Sequence, residues 1–159
     1  MIEVQEISNS GPVMQDNNVK VTSVLVQHPP VTPAFAYRFD FPDRSIAFSG
    51  DTVALEAVAQ MAKGADVLVH EAIDFPAMEA FVKQAIAAGA SGTVEVAMAH
   101  MRADHTSPED AGRIAQEAGV KTLVLSHIGP PFVSDASWQG AAGKYFKGEI
   151  VVGHDLTVI

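Results

Sequence analysis

The chain has 159 residues, a formal net charge of −9 and 48% hydrophobic residues, a composition typical of a soluble globular protein and not of a disordered one. It contains no cysteine, which excludes disulfides, thiolate metal sites and a thiol nucleophile. The acidic excess disfavours nucleic acid as a partner. Neither a membrane span nor a signal peptide is evident in the pattern, so we expect a cytoplasmic protein without a membrane partner.

The first third of the chain predicts β-structure. A polar, turn-rich segment before Lys20 predicts a hairpin or edge strands. The β-branched segment Val19–Val26 predicts a strand that stops at the Pro-Pro pair 29–30, because proline cannot donate to the ladder and restricts the residue before it. Ala34–Phe41 and Arg44–Phe48 are predicted to form a strand pair.

From residue 53 onward, helical spacing of apolar residues alternates with short apolar strands, which predicts α/β layering. The clearest helix start is Ser107 followed by Pro108, where a capping serine precedes a proline and two acids. The predicted helices are Val53–Lys63, Phe75–Ala88, Pro108–Ala118 and Asp135–Phe146. The predicted strands are Val67–Val69, Thr122–Leu125 and Glu149–Val152.

Four of the predicted strands end in residues that can bind metals, namely His28, Asp51, His70 with Glu71, and His127. Because sites in α/β sheets form at the carboxyl ends of strands, we expect these side chains to converge. Imidazole and carboxylate are natural ligands of zinc, iron or manganese. Strand alternation places His70 on the opposite side from Glu71. A single histidine after a strand is usually structural, but four such strand ends predict a metal or acid/base site.

Several segments in this order resemble the successive motifs of the metallo-β-lactamase superfamily, and more narrowly its ribonuclease Z and arylsulfatase-like branch. The segments are Phe48-Ser49-Gly50-Asp51-Thr52, Ala65-Asp66-Val67-Leu68-Val69-His70-Glu71-Ala72, His105-Thr106-Ser107-Pro108-Glu109 and Leu123-Val124-Leu125-Ser126-His127. The terminal segment Gly153–Val158 resembles the closing strand of the family. The resemblance extends over nearly the whole chain from about Val19.

The resemblance implies a role for each matching residue. His28 would ligate one metal ion, Asp51 would bridge two ions and His127 would ligate the second. His105 would act as a proton donor or oxyanion stabiliser beside the substrate, with Glu71 orienting or polarising it. Two divalent ions are implied, zinc before iron or manganese, and a hydroxide between them would attack a phospho- or sulfo-ester. The segment from Met101 to Thr106 is predicted as a loop over this site.

One family motif is absent, because no two of the six histidines are two positions apart and His-x-His-x-Asp-His therefore does not occur. By resemblance, residues 1–159 are one unit, the C-terminal half of a four-layer αββα sandwich, with a mixed sheet and helices on one face. The expected partner is the missing N-terminal half, as a fragment or a separate chain, or another copy of this chain, because an uncovered apolar sheet face favours aggregation.

The substrate expected from the sequence is a small-molecule ester. Many ribonuclease Z enzymes insert an arm between the residues that correspond to His28 and Asp51, and the 23 positions between them here leave no room for it. Together with the acidic charge, this spacing argues against tRNA processing. The alternative to a hydrolase is a non-catalytic or self-associating module that keeps the fold but not the full metal site.

Overall fold

The structure is a computed structural model that describes residues 4–159. Its strands are β1 (Gly11–Gln15), β2 (Lys20–His28), β3 (Val31–Asp40), β4 (Ser45–Phe48), β5 (Val67–Ile73), β6 (Thr122–Gly129) and β7 (Glu149–Val152). Its helices are α1 (Glu56–Met61), α2 (Phe75–Ala87), α3 (Val94–Asp104), α4 (Pro108–Ala118) and α5 (Asp135–Ala142). Within those residues, none of the helices combines the length and the apolar character needed to cross a bilayer.

All seven strands form one sheet in which their spatial order follows the chain, from β1 at one edge to β7 at the other. The strands β1 to β4 pair antiparallel, and β4 to β7 pair parallel. The parallel strands are separated by helical segments, as parallel connections require. The predicted mixed sheet is therefore confirmed, and the strands β4 to β6 end at the same edge.

A layer made of α1, α4 and α5 packs on one side of this sheet and forms the core with it. The helices α4 and α5 approach closely at Gly112, where an added Cβ would lie against the carbonyl oxygen of Ala142. The fully buried core side chains include Trp138, Leu68, Leu123, Leu125 and Val58.

The other side of the sheet, here called the open face, carries large apolar side chains that α1, α4 and α5 do not cover. The register pairs Tyr37 with Phe48 and Phe48 with Val69, and continues to Val124, so these side chains lie on one side in a row. Phe48 is 41% exposed, and Phe39 contacts it edge-on with ring centroids 5.8 Å apart. A cavity of about 440 Å³ lies on this face next to the C-terminal residues.

The helix start predicted at Ser107 is confirmed. The Ser107 hydroxyl accepts from the backbone N–H of Asp110 at 3.1 Å, and the helix α4 ends at Gly119, whose φ of 66° is left-handed. The bounds of α2 differ from the prediction by one residue. The strands β5 and β6 extend beyond their predicted ends and include Glu71 and His127.

The prediction of a loop over Met101 to Thr106 was wrong. Residues 94–104 form α3, and the chain leaves the helix only at His105, which is extended with a φ of −129°. Thr93 caps the start of this helix, because its hydroxyl accepts from the N–H of Val96 at 3.3 Å. It packs against α2 and β2, and this tertiary contact outweighs the weak helix propensity of its valines.

Three further helix boundaries and one strand also differ from the prediction. The helix α1 ends two residues early, at Met61, and starts three residues late because Leu55 before it is extended and the N–H of Val53 donates to the carbonyl of Gln27 at 3.2 Å. The helix α5 ends at Ala142 and not at Phe146. Residues 153–158 form no strand, since Leu156 has a φ of 66° and the N–H of Thr157 turns back to the carbonyl of His154.

Candidate metal centre

The metal-competent side chains meet at the edge of the sheet where β4, β5 and β6 end. His28 is the last residue of β2, and Asp51 follows β4 after Ser49 and Gly50. Gly50 has a φ of 61°, and a Cβ there would lie 2.8 Å from the carbonyl oxygen of Phe35. Only glycine fits this turn without displacing the backbone of β3, and the turn brings Asp51 back over the strand ends.

Asp51 lies between two histidines. Its Oδ2 is 3.4 Å from Nε2 of His127 and 3.9 Å from Nε2 of His28. One donor atom each from His28, Asp51 and His105 lies within 4.8 Å of the others. The His105 ring is stacked on the His127 ring at 5.9 Å and meets the His28 ring edge-on at 5.4 Å. Three imidazoles therefore surround one carboxylate.

His127 reaches Asp51 because β6 bulges at that position. Glu71 pairs with Ser126 and Ala72 pairs with Ile128, so His127 is an extra residue in the ladder. Its φ of 47° is left-handed, a conformation that is uncommon for a residue with a side chain. Strain of this kind is found where a side chain must be aimed at a site.

Glu71 is a buried carboxylate that links the three segments around the centre. Its Oε1 accepts from the backbone N–H groups of Thr52 at 3.2 Å and Thr106 at 2.9 Å, and it lies 3.2 Å from Nδ1 of His105. Only 3% of Glu71 is exposed. These contacts fix the loop after β4 and the loop before α4 to the strand β5.

The environment of His105 favours its charged form. The hydrogen bond to Glu71 raises the pKa of His105, the charges of Glu71, Asp51 and Asp104 raise it further, and partial burial opposes them. Because Glu71 holds Nδ1, the nitrogen left for the centre is Nε2. Such an imidazole can donate a proton to a leaving group, and the carboxylate–histidine arrangement also occurs behind metal ligands.

The donor set fits a metal ion of the zinc type. Imidazole and carboxylate side chains that stand at one edge and are partly exposed, as His28, Asp51 and His127 are, match the ligands that zinc prefers. The expectation that these three residues bind the ions, with Asp51 between them, remains a prediction. A centre with two four-coordinate ions needs more donors than these residues supply.

His70 and His100 lie away from this cluster. His70 is fully buried, its Nδ1 lies 2.8 Å from the carbonyl oxygen of Glu71, and burial lowers its pKa. His100 is one helical turn before Asp104, with Nδ1 2.8 Å from its Oδ2. The sequence reasoning missed Asp104, a carboxylate that is 1% exposed. Its only signal was its position directly before His105.

The sequence reasoning also missed Thr52 and Thr106. Both serve the site through backbone N–H groups that bind Glu71, and the Thr106 hydroxyl donates to the carbonyl oxygen of Thr52 at 2.6 Å. Any residue except proline can supply a backbone N–H donor, so the sequence of residue types could not identify these two positions.

Comparison with known proteins shows the family of this chain. The family model described as the beta-lactamase superfamily domain matches residues 1–128. The chain belongs to the metallo-β-lactamase superfamily. Its relatives place it near the ribonuclease Z branch, since a putative ribonuclease Z from Mycobacterium tuberculosis is 32% identical over 159 residues, covering 98% of this chain and 64% of the relative.

Other members of that branch are longer. A ribonuclease Z from Mycobacterium bovis is also 32% identical over 159 residues, and the match covers 98% of this chain but 51% of the relative. The chain thus spans between half and two thirds of the length of the curated relatives that it matches.

Solved structures support the fold. The metallo-β-lactamase fold protein YhfI from Bacillus subtilis matches with a TM-score of 0.65 at 22% identity, covering 89% of this chain and 49% of that protein. Human tRNase Z, short form, matches with a TM-score of 0.59 at 22% identity, covering 96% of this chain and 46% of that protein. This sheet with its helix layer is consistent with half of such a fold.

Proposed function

We propose that this chain provides one side of a two-metal centre that hydrolyses phosphodiesters. The observation that carries the proposal is the convergence of His28, His105 and His127 around Asp51. A carboxylate between imidazoles suits two cations, because its charge offsets their mutual repulsion. Membership in a superfamily of metal-dependent hydrolases supports the reaction type.

In this proposal His28 would hold one ion, His127 would hold the other, and Asp51 between the two histidines would serve both. When bound, the ions supply Lewis acidity and lower the pKa of water. His105 donates a proton from Nε2 to the oxygen of the leaving group, and its raised pKa favours the protonated ring. Glu71 holds the His105 ring in place and stabilises its positive charge.

Two observations bear on the substrate. The relatives named ribonuclease Z support a phosphodiester of RNA over a sulfate ester. The charge of −9 and the compact connection from His28 through β3 and β4 to Asp51 support a small phosphodiester. RNA and a small phosphodiester contain the same phosphorus–oxygen ester bond, so the chemistry proposed for the centre is the same for both substrates.

We further propose that the open face is covered by a second region of polypeptide, corresponding to the part of the relatives that this chain does not match. Exposed aromatic side chains such as Phe48 mark an interaction surface, and sheets pack face to face about 10 Å apart. The same region would supply the remaining metal donors. We call this covering region the cover. The alternative is that a second copy of this chain covers the open face.

The experiment is to produce this chain together with the unmatched part of the Mycobacterium tuberculosis ribonuclease Z, add zinc, and measure turnover. The substrates are bis(4-nitrophenyl) phosphate, 4-nitrophenyl sulfate and an RNA with a 3′ extension. Turnover of a phosphodiester that disappears in Asp51→Asn supports the proposal. Turnover of the sulfate alone, or equal turnover in Asp51→Asn, contradicts it.

A non-catalytic binding module remains the second candidate, because residues 4–159 by themselves offer few clustered donors for two ions. It predicts a stable assembly that binds zinc and turns over none of the three substrates. Native mass spectrometry of the same sample reports the assembly and the bound metal together.

A further inference from the structure

The helices α2 and α3 form a hairpin, here called the arm (residues 75–104), whose two ends lie at the candidate metal centre. At one end the N–H of Asp74 donates at 2.8 Å to the carbonyl oxygen of Gly129, which is two residues after His127. At the other end the chain leaves α3 at His105. The arm therefore begins and ends beside residues that the proposed function uses.

The arm has little core of its own. None of residues 75–87 is buried, and within residues 94–104 the buried ones are Met98 and Asp104. Apolar side chains are nevertheless frequent in both helices, and Phe81 is 47% and Val96 is 69% exposed. Short helices depend on the packing of an apolar face, and exposed apolar patches mark binding surfaces. The arm thus presents an apolar surface that a ligand would cover.

These side chains line a groove between the two helices of the arm. The groove has a volume of about 230 Å³, and in the described part of the chain none of the side chains that line it carries a charge. Its polar lining residues, Ser91 and Thr93, lie in the turn and at the start of α3. The apolar lining includes Phe81, Val82, Ala85, Ile86, Val96 and Ala97. Such a lining favours an apolar group over an anionic one.

One stripe of α2 connects the groove with the end of β6. Met78 lies against Gly129, where an added Cβ would be 3.1 Å from Cε of Met78. The ring of Phe81, one turn further along, contacts the ring of Phe132 in the loop after β6, with centroids 5.8 Å apart. Residues three and four apart share one face of a helix. From Met78 to Ala85 the stripe is about 10 Å long, since an α-helix rises 1.5 Å per residue.

From this arrangement we infer that the arm binds an apolar ester group of the substrate, so that the centre acts on phosphodiesters that carry an alkyl chain. The inference rests on the proposed function, because it assigns a substrate class to the same centre. The chain charge of −9 agrees with it, since such a diester carries one negative charge whereas RNA carries one for each phosphate. Phe81 and Val96 are then specificity-determining residues.

The first test is a binding measurement on the metal-free chain, which needs no turnover. The probes are octyl methyl phosphate and butyl methyl phosphate, and the methyl resonances of the labelled chain report both the affinity and the site. We expect the octyl ester to bind at least about tenfold more tightly, because burial of each additional CH₂ group favours binding. The resonances of Val82 and Val96 should shift.

Three outcomes of this measurement overturn the inference. One is equal affinity for the two esters. Another is a set of shifts confined to Val69 and Val124, which lie on the open face. The third is a shift of Val96 that depends on chain concentration in the absence of ester, because a second copy of the chain then occupies the groove.

Val96→Asp places a charge in the groove. Because Val96 is largely exposed, the substitution should leave the fold intact, and the ratio of octyl to butyl affinity should fall to about one. Val4→Asp is the matched control, since Val4 is 80% exposed and precedes β1, and the ratio should stay as in the wild type. An unchanged ratio in Val96→Asp overturns the assignment of the groove.

The second test is turnover by the chain assembled with the cover and zinc. The substrates share a 4-nitrophenyl leaving group and differ in the other ester, which is octyl, methyl or 5′-thymidine. We expect kcat/KM for the octyl ester to exceed both others by at least about tenfold, and this preference should shrink in Val96→Asp.

The turnover test separates the inference from the proposed function. Equal kcat/KM for the three esters, or a preference for the thymidine ester, overturns the inference and leaves the proposed function intact. Turnover of none of the three contradicts the proposed function instead, and the binding measurement still decides whether the groove takes an alkyl chain.

Discussion

Oδ2 of Asp51, in the loop after β4, lies 3.4 Å from Nε2 of His127 in β6. Two local backbone features create this contact. The glycine at position 50 turns the chain after β4, and the bulge in β6 turns His127 out of its ladder. The pair is thus held by the backbone.

Replacement of Asp51 is expected to remove metal binding. Asp51→Asn takes away the charge that faces both His28 and His127, so we expect zinc affinity to fall by more than about 100-fold, since loss of an outer-sphere partner alone costs about 10- to 100-fold. Isothermal titration with zinc measures it. Asp135→Asn, which removes the exposed partner of His154, is the control and should bind zinc as the wild type does.

Replacement of His105 separates its two roles. As a proton donor, His105→Gln should lower turnover of the assembled enzyme by about 10²- to 10⁴-fold and retain zinc. Stopped-flow turnover and metal analysis of the same preparation give both quantities. Parallel loss of zinc and turnover would instead make His105 a ligand, a role that its distance to His28 and Asp51 permits.

His70 should make the chain sensitive to mild acid. Burial lowers its pKa below the ordinary value of 6.5, so below that pH the unfolded state binds a proton that the folded state refuses. Stability is therefore full above pH 6.5 and is lost as pH falls, by up to about 1.4 kcal/mol per pH unit. Urea unfolding at pH 7.5 and 5.5 measures the loss. In His70→Asn the difference between the two pH values should shrink.

The two sides of the sheet should tolerate charge differently. Ala47 is fully buried under the helix layer, and Ala47→Asp should destabilise the chain by more than about 3 kcal/mol. Its neighbour Phe48 is on the open face, and Phe48→Asp should cost about 1–2 kcal/mol, mainly the edge contact with Phe39. Urea unfolding of the isolated chain compares them. Equal costs would mean that another copy already covers the open face.

The contact between α4 and α5 should not accept a methyl group. In Gly112→Ala the new Cβ meets the carbonyl oxygen of Ala142, and we expect a loss of about 1–3 kcal/mol from overpacking. In Gly140→Ala the Cβ meets open space within α5, and the higher helix propensity of alanine should raise stability by about 0.5–1 kcal/mol. Thermal unfolding of the two variants tests the opposite signs.

Where local signals were strong, the sequence predicted the fold well. The serine cap and the left-handed glycine bounded α4, and the Pro-Pro pair bounded β2, because each acts through its own backbone chemistry. The helix α3 was missed although Thr93 caps it, because its valines have a weak helix propensity. It is held by packing against α2 and β2, which only the folded chain contains.

The site was predictable as a set of residue types but not as a network. Strand ends that carry His28, Asp51 and His127 predicted where donors would gather, and the structure brings them together. The contacts of Glu71 to Thr52 and Thr106 depend on backbone N–H groups, which residue type does not encode.

The consecutive order of the strands bears on how the chain reaches its fold. Each of the seven strands in residues 4–159 pairs with the next strand of the sequence, but the separations differ: short connections join β1 to β4, whereas α2, α3 and α4 lie between β5 and β6. Short sequence separations between paired elements favour fast folding. On that basis the antiparallel strands β1 to β4 form first, and the parallel pairing of β5 with β6, which must bring residue 73 next to residue 129, is the later step.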